Sequence, residues 1–306
     1  MRSSEFPRLL LMCAVVPSTL STVHAQELEP RTYSNVPVGV NFVAVGYAYN
    51  QGNVFLDPAL PIRDLEARLH VAFARYIRTF SLFGLPSKAK VVLPWSSGHW
   101  EGFLDNEFRT RDVTGFGDAR IGIETIFSGA PALDKAEFGS YRQRRLFGAS
   151  LDVILPSGQY DSSRLINLGS NRWVINPEIG VSQAFNEKWT LEAAFAVWLY
   201  GDNDDFLGGS RLEQDDLLVL KAYVVRSFRP GFWIAFVAGI ANGGTTSIDG
   251  VVRNTRQQNY RFGVTCAFPL EPNQGLVFNV SSGATARAGP DYDTLAVAYQ
   301  YSWSGE

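Results

Sequence analysis

Polar and apolar side chains alternate with a period of two along most of the chain. In one run Asp64, Glu66, Arg68 and His70 alternate with Leu65, Ala67, Leu69 and Val71. In another, Asp118, Arg120 and Glu124 alternate with Ala119, Ile121 and Ile123, and Thr190 and Glu192 alternate with Leu191, Ala193, Phe195, Val197 and Leu199. Successive side chains of a strand point to opposite faces, so each run has one apolar and one polar face. The pattern predicts twelve strands, near 39–50, 64–80, 87–95, 115–127, 144–155, 173–185, 188–200, 215–228, 231–241, 258–269, 275–285 and 293–303.

A soluble β-sandwich and a membrane barrel both alternate in this way. Three features favour the barrel. The segments are mostly about 9–13 residues, long enough to cross a bilayer at a tilt. Aromatic residues cluster at segment ends, as interfacial girdles do: Tyr47, Tyr49, Trp95, Trp189, Tyr200, Phe228, Phe232, Trp233, Phe268, Tyr299, Tyr301 and Trp303. Connections alternate in length as well. Those at Gly84-Leu85-Pro86, Asn186-Glu187, Arg229-Pro230 and Glu271-Pro272-Asn273 are short, whereas 51–63, 96–114, 156–172, 201–214 and 242–257 are long. Short periplasmic turns and long outer loops give this asymmetry, and only 128–143 breaks it. The expected fold is all-β: a transmembrane, antiparallel, up-and-down β-barrel of about twelve strands, occupying 39–306.

Composition narrows the picture. Mean hydropathy is -0.04, and no apolar run is long enough for a membrane helix. Of the 306 residues 19% are charged, 13% are aromatic and 28 are glycine, a balance suited to strands and tight turns. A net charge of -3 argues against a nucleic-acid partner. Arg2 and Arg8, the apolar stretch Leu9–Leu20 and Val23-His24-Ala25 predict a signal peptide over 1–25. Residues 26–38, polar and containing Pro30 and Pro37, are expected to form a periplasmic N-terminal arm. Cleavage after Ala25 leaves Cys266 as the single cysteine, so no internal disulfide is expected.

Several motifs resemble those of the meta-pathway phenol-degradation family of outer-membrane β-barrel transporters. They are Pro30-Arg31-Thr32-Tyr33-Ser34-Asn35 with Pro37-Val38-Gly39, Gly115-Phe116-Gly117-Asp118, and Leu155-Pro156-Ser157-Gly158-Gln159-Tyr160-Asp161. Further matches are Arg164 through Trp173, Asp202-Asn203-Asp204-Asp205-Phe206 and Asp293-Thr294-Leu295. The resemblance implies a barrel in the bacterial outer membrane that takes up small aromatic or other hydrophobic compounds. The ending Tyr299-Gln300-Tyr301-Ser302-Trp303 resembles the signal read by the barrel-assembly machinery, with Ser304-Gly305-Glu306 following as a tail.

Taking the polar faces as inward gives a candidate lumen of Glu66, Arg68, His70, Lys88, Lys90, Asp118, Arg120, Glu124, Asp152, Glu178, Glu192, Lys221 and Arg261. Both signs occur, so crossed ion pairs are expected in a narrow interior. Tyr160, Asp161, Arg164 and Asn167 are candidates for a loop that folds inward as a constriction. The expected role is a channel or facilitator for small organic solutes, with outer-membrane lipid as the other partner. The alternatives are a structural or adhesive barrel with a closed lumen and, third, a barrel hydrolase using Ser96 or Ser97 with His99. Adjacency in sequence does not set the nucleophile–base geometry of a triad. Neither a Gly-x-Ser-x-Gly elbow nor a phosphate loop occurs in the sequence. No cofactor and no metal are expected, and the acidic loop Asp202–Asp205 lacks the spacing of a calcium loop.

Overall fold

The structure, a computed structural model, describes residues 29–57, 62–285 and 287–304. The expected signal peptide, residues 26–28 of the arm and the final two residues lie outside the described residues. The strands in chain order are β1 (Val40–Phe55), β2 (Ile62–Leu82), β3 (Leu85–Leu104), β4 (Glu107–Phe116), β5 (Arg120–Ser128), β6 (Arg145–Ile154), β7 (Val174–Ala184) and β8 (Trp189–Tyr200). There follow β9 (Asn203–Phe206), β10 (Ser210–Gln214), β11 (Leu217–Arg229), β12 (Phe232–Gly243), β13 (Thr246–Ile248), β14 (Val251–Val252), β15 (Gln257–Glu271), β16 (Gln274–Thr285) and β17 (Gly289–Ser304).

Thirteen of these strands form one antiparallel sheet that closes on itself through β1 and β17, in register from Val40↔Ser304 to Phe55↔Gly289. β4 and β5 occupy one position, pairing with the outer and inner parts of β3, so the barrel has twelve staves. The remaining β9, β10, β13 and β14 make a small separate sheet in the long connections.

Alternation assigns the faces. In β11, Leu217, Val219, Lys221, Tyr223 and Val225 are buried, while Leu218, Leu220, Ala222 and Val224 are exposed. The exposed set continues around the wall through Val91, Leu93, Ile121, Ile175, Ile179, Phe195 and Phe262. A belt this apolar needs lipid, not water, against it. Tyr47 and Trp95 stand on the outer rim of this belt, and Trp189, Phe228, Phe268, Tyr299 and Trp303 on the periplasmic rim. The barrel is therefore an outer-membrane barrel. Two residues expected in the girdles face inward instead: Trp233 is 1% exposed, and Tyr200 lies beneath the Arg172 guanidinium at 4.7 Å.

Connections differ from expectation in three places. Residues 96–114, read as a loop, continue β3 and β4 as a hairpin that turns at Asp105-Asn106 with φ of 52° and 67°, the left-handed pair a two-residue turn requires. The acidic loop holds β9, and Arg211 of β10 pairs with Asp202, Asp204 and Glu213. The atypical 128–143 connection carries a short 3-10 turn at Glu137–Ser140 and holds the arm, accepting the Val38 amide on Leu133 O at 2.9 Å and the Asn35 side chain on Pro131 O at 3.3 Å.

Ile179 is 60% exposed at the middle of β7, on the lipid face. Ile179→Arg should cost about 2–4 kcal/mol in folding into vesicles. Val252→Arg in the outer sheet, 70% exposed, should stay within about 0.5 kcal/mol. Urea titration of vesicle-refolded protein reads both, and equal effects would contradict the assignment of faces.

Candidate functional site

The arm is the first component of the interior. Residues 29–38 run inside the barrel wall, with Glu29, Tyr33, Ser34, Asn35 and Val36 all buried. The wall grips both backbone and side chains of this segment. Glu29 meets Arg75 at 2.5 Å. The Arg31 amide donates to Glu192 Oε2 at 2.6 Å, and its guanidinium lies over Trp233 at 5.7 Å. Lys88 donates to the Thr32 carbonyl, and the Tyr33 hydroxyl donates to Glu178 at 3.0 Å. The Tyr33 ring passes so close to Gly148 and Gly180 that a Cβ on either would fall 2.1 and 2.2 Å from it. Glycine at these two wall positions makes the groove that seats the ring.

Around the arm the charges are paired. Lys90, 4% exposed, stands between Glu124 at 2.9 Å and Asp152 at 3.1 Å. Lys88 reaches Glu124 at 3.2 Å, Arg120 reaches Asp152 at 2.7 Å, and Lys221 reaches Glu178 at 2.6 Å. Buried charges are tolerated when paired and hydrogen-bonded in this way. The space left among Glu29, Arg120, Asp152, Glu178 and Lys221 is about 20 Å³, room for about one water. A space of this size does not admit an organic solute.

The outer mouth is organised differently. Ala67, Leu69, Val71, Trp100, Val113 and Tyr292 form a dry cluster on the inward faces of β2, β3, β4 and β17, and the loop at 155–173 closes it with Leu168 and Ile166. Asp118, in the break between β4 and β5, latches this loop: it accepts from the Gly158 amide at 2.8 Å and from the Ser170 amide and hydroxyl at 2.8 and 2.6 Å. Asn167 accepts from the Asp161 amide and donates to the Asp161 and Arg164 carbonyls. Tyr160 donates to Asp205 O and accepts from Asn203, tying the loop to β9. Partial burial pushes the Tyr160 phenol up. The Ser163 hydroxyl and amide hold the exposed Asp161 carboxyl below its ordinary value. Between loop and wall lies an apolar cavity of about 470 Å³ with Leu65, Trp100, Leu165 and Ile166 in its walls.

Ten of the thirteen lumen candidates are thus buried: Lys88, Lys90, Asp118, Glu124, Asp152, Glu178, Glu192, Lys221 and Arg261, with Arg120 nearly so. Arg261 sits apart from the ion network, donating to Ser281, to the Tyr292 carbonyl and to Thr294. Glu66, Arg68 and His70 are the corrections, because all three point out of the barrel. Arg68 pairs with Glu101 at 2.6 Å, and His70 shares a hydrogen bond with Tyr47 at 2.6 Å. The rule that polar means inward holds only at membrane depth. Above the lipid the outside is wet and the capped interior is dry, so the same alternation has the opposite sense. Glu29, Arg75, Tyr33 and Trp233 belong to the interior and were missed. Arg75 was recoverable from the sequence, since the parity of the apolar Val71 and Phe73 leads to it. The hydrolase residues do not assemble: the Ser97 hydroxyl bonds Thr114 at 2.8 Å, His99 bonds Asp112 at 2.7 Å with its Nε2 toward Glu101, and Ser96 is buried.

Lys90→Met leaves Glu124 and Asp152 without their shared cation and should cost about 3–5 kcal/mol. Adding Glu124→Gln and Asp152→Asn should recover most of it. Denaturant midpoints in vesicles measure the series, and a Lys90→Met protein as stable as the parent would contradict a network held by Lys90.

Comparison with known proteins follows this geometry. Across 90% of its length the chain is similar to all of the crystal structure of the COG4313 outer membrane channel from Pseudomonas putida F1, with 23% identity and a TM-score of 0.78. A mutant of the TodX monoaromatic hydrocarbon channel aligns over 90% of this chain and 93% of its own, at 10% identity and a TM-score of 0.54. The β domain of the Bordetella autotransporter BrkA aligns over 87% of this chain and 100% of its own, at 11% identity and a TM-score of 0.51. At such identities these are likenesses of fold. No curated protein matches the chain. The family model described as "Putative MetA-pathway of phenol degradation" matches residues 33–299, from the tyrosine buried in the lumen to the last strand, and the chain belongs to that family.

Proposed function

We propose that this protein is an outer-membrane channel or facilitator for small organic compounds, aromatic or otherwise hydrophobic, and that its N-terminal arm controls the passage. The observation that carries the reading is the apolar cavity of about 470 Å³ at the outer mouth, a volume within the range of small-molecule sites. A barrel with a purely mechanical role has no use for an apolar cavity held open by a latched loop. Membership of the phenol-degradation family and likeness to a channel fold support the same reading. So does the monoaromatic hydrocarbon channel among the similar structures. In this reading Tyr160, Asp161, Arg164 and Asn167 belong to the constriction at the mouth. Lys88, Lys90, Arg120, Glu124, Asp152, Glu178, Glu192 and Lys221 line the path below it, Asp118 positions the loop, and no catalytic step is involved.

The path opens by movement of the arm, not of the wall. Every stave is bonded to both neighbours except in its β4 part, which pairs with β3 alone above β5. The arm is held mainly by side-chain contacts and by two backbone bonds near its periplasmic end. Export on a signal peptide ending at Ala25 fits this arrangement, because it starts the mature chain just ahead of the buried segment. Tyr299, Tyr301 and Trp303, all on the outward side of β17, are the surface we assign to the barrel-assembly machinery. The alternative of a permanently closed structural barrel draws on the narrow space of about 20 Å³ at mid-depth.

Planar-bilayer recording separates the two. The wild-type protein should give small, discrete conductance steps. Tyr33→Ala with Glu29→Gln, which loosens the arm while leaving every stave intact, should enlarge them several-fold. Silence of both proteins across voltage and salt would support the structural barrel and refute the conduit.

A further inference from the structure

The mouth cavity has a polarity of its own. Three arginines, Arg109, Arg111 and Arg164, line it, and among the described residues no aspartate or glutamate does. In the network at mid-depth the cations are matched by carboxylates, as at Lys90 with Glu124 and Asp152. Here the matching is weak. Arg109 pairs with Glu107 on the exposed hairpin tip, and Arg164 meets Asp161 at 3.9 Å, with every partner more than half exposed. Exposed pairs of this kind hold little energy and exchange readily. Arg111 forms no ion pair among the described residues. Its Nε–H donates to the Ile166 carbonyl at 2.9 Å, which turns the guanidinium toward the loop and leaves donors of its five to spare. Opposite this basic rim the cavity is lined by Trp100 and by the aliphatic Leu65, Leu165 and Ile166.

An apolar wall with a cationic rim selects a molecule having an apolar body and an anionic head. A planar carboxylate fits a guanidinium in two-point fashion, and a planar ring fits an indole face. We propose that the outer mouth is a binding site for small aromatic carboxylates, which the protein collects from the medium before passage. This rests on the reading of the barrel as a conduit and sharpens it: the preferred cargo is an acid, not a neutral hydrocarbon. Charged compounds of this kind cross lipid poorly without help, so a facilitator serves them better than it serves a hydrocarbon.

The test uses the full-length protein in lipid nanodiscs, with benzoate and its neutral counterpart benzyl alcohol as probes and calorimetry as the readout. Benzoate should bind roughly tenfold or more tighter than the alcohol, since a charge-assisted hydrogen bond contributes on that scale. Arg111→Leu should bring benzoate down to the level of the alcohol without altering the alcohol. Arg164→Gln, on the exposed rim where folding is not at stake, should lower benzoate affinity alone, and added salt should weaken benzoate binding further. Equal affinities for the two probes, or benzoate binding untouched by both substitutions, would overturn the proposal. Uptake of each probe by protein-loaded vesicles is measured in parallel. Uptake of the alcohol with no preference for benzoate in binding or in flux would overturn the site and leave the conduit standing. Arginine-dependent benzoate binding with no flux of either probe would uphold the site and remove the conduit.

Discussion

Ring closure is the constraint on which everything else depends. In lipid no water is available to backbone N–H and C=O groups, so a sheet that crosses a membrane must have no free edge. Here the bond line between β1 and β17 removes the last edge, over the whole length of both strands. Closure fixes which face of every strand is inside. The period-two pattern then decides, residue by residue, what meets lipid and what meets the lumen.

A barrel of twelve staves is wider than its own wall side chains fill. The chain meets this by returning a segment of itself to the interior. Glu29, Arg31 and Tyr33 enter a cage of Arg75, Glu178 and Glu192, next to Lys90 with its two carboxylates. The charges are costly to bury singly and tolerable together. That makes the middle of the lumen a set of mutually dependent contacts between the wall and the arm. The outer mouth has no such set. There a dry cluster and a loop latched by Asp118 leave an apolar cavity with a weakly matched basic rim. In the proposed reading the two levels differ in function for that reason: the mouth selects and the middle closes.

Much of this was legible in the sequence, because the physics of a strand is local. All twelve staves lie where alternation puts them, and the inward position of Lys88, Lys90, Glu124, Asp152, Glu178, Glu192 and Lys221 follows from parity. What parity cannot supply is depth. Glu66, Arg68 and His70 obey the same alternation as Glu192, yet they sit above the lipid, where the wet side is the outside. The long hairpin of β3 and β4 was read as a loop for a related reason: Ser97, His99 and Glu101 are polar on a face that sequence alone would give to lipid. The arm was invisible because its burial comes from the tertiary structure. Nothing in Pro30-Arg31-Thr32-Tyr33 marks it as interior except the two wall glycines that receive Tyr33 and the unusual length of the 128–143 connection that anchors it. Trp233, counted as an interfacial aromatic, lies under Arg31 for the same reason.

The central claim is that the lumen is closed by a segment able to leave while the wall stays folded. Native-state hydrogen exchange, followed on peptides covering 29–38 and 40–55 of the vesicle-embedded protein, tests it most directly. The account predicts that the arm amides exchange through a local opening of low free energy, orders of magnitude faster than those of β1. Arm amides as slow as those of β1, exposed only when the whole barrel unfolds, would contradict it.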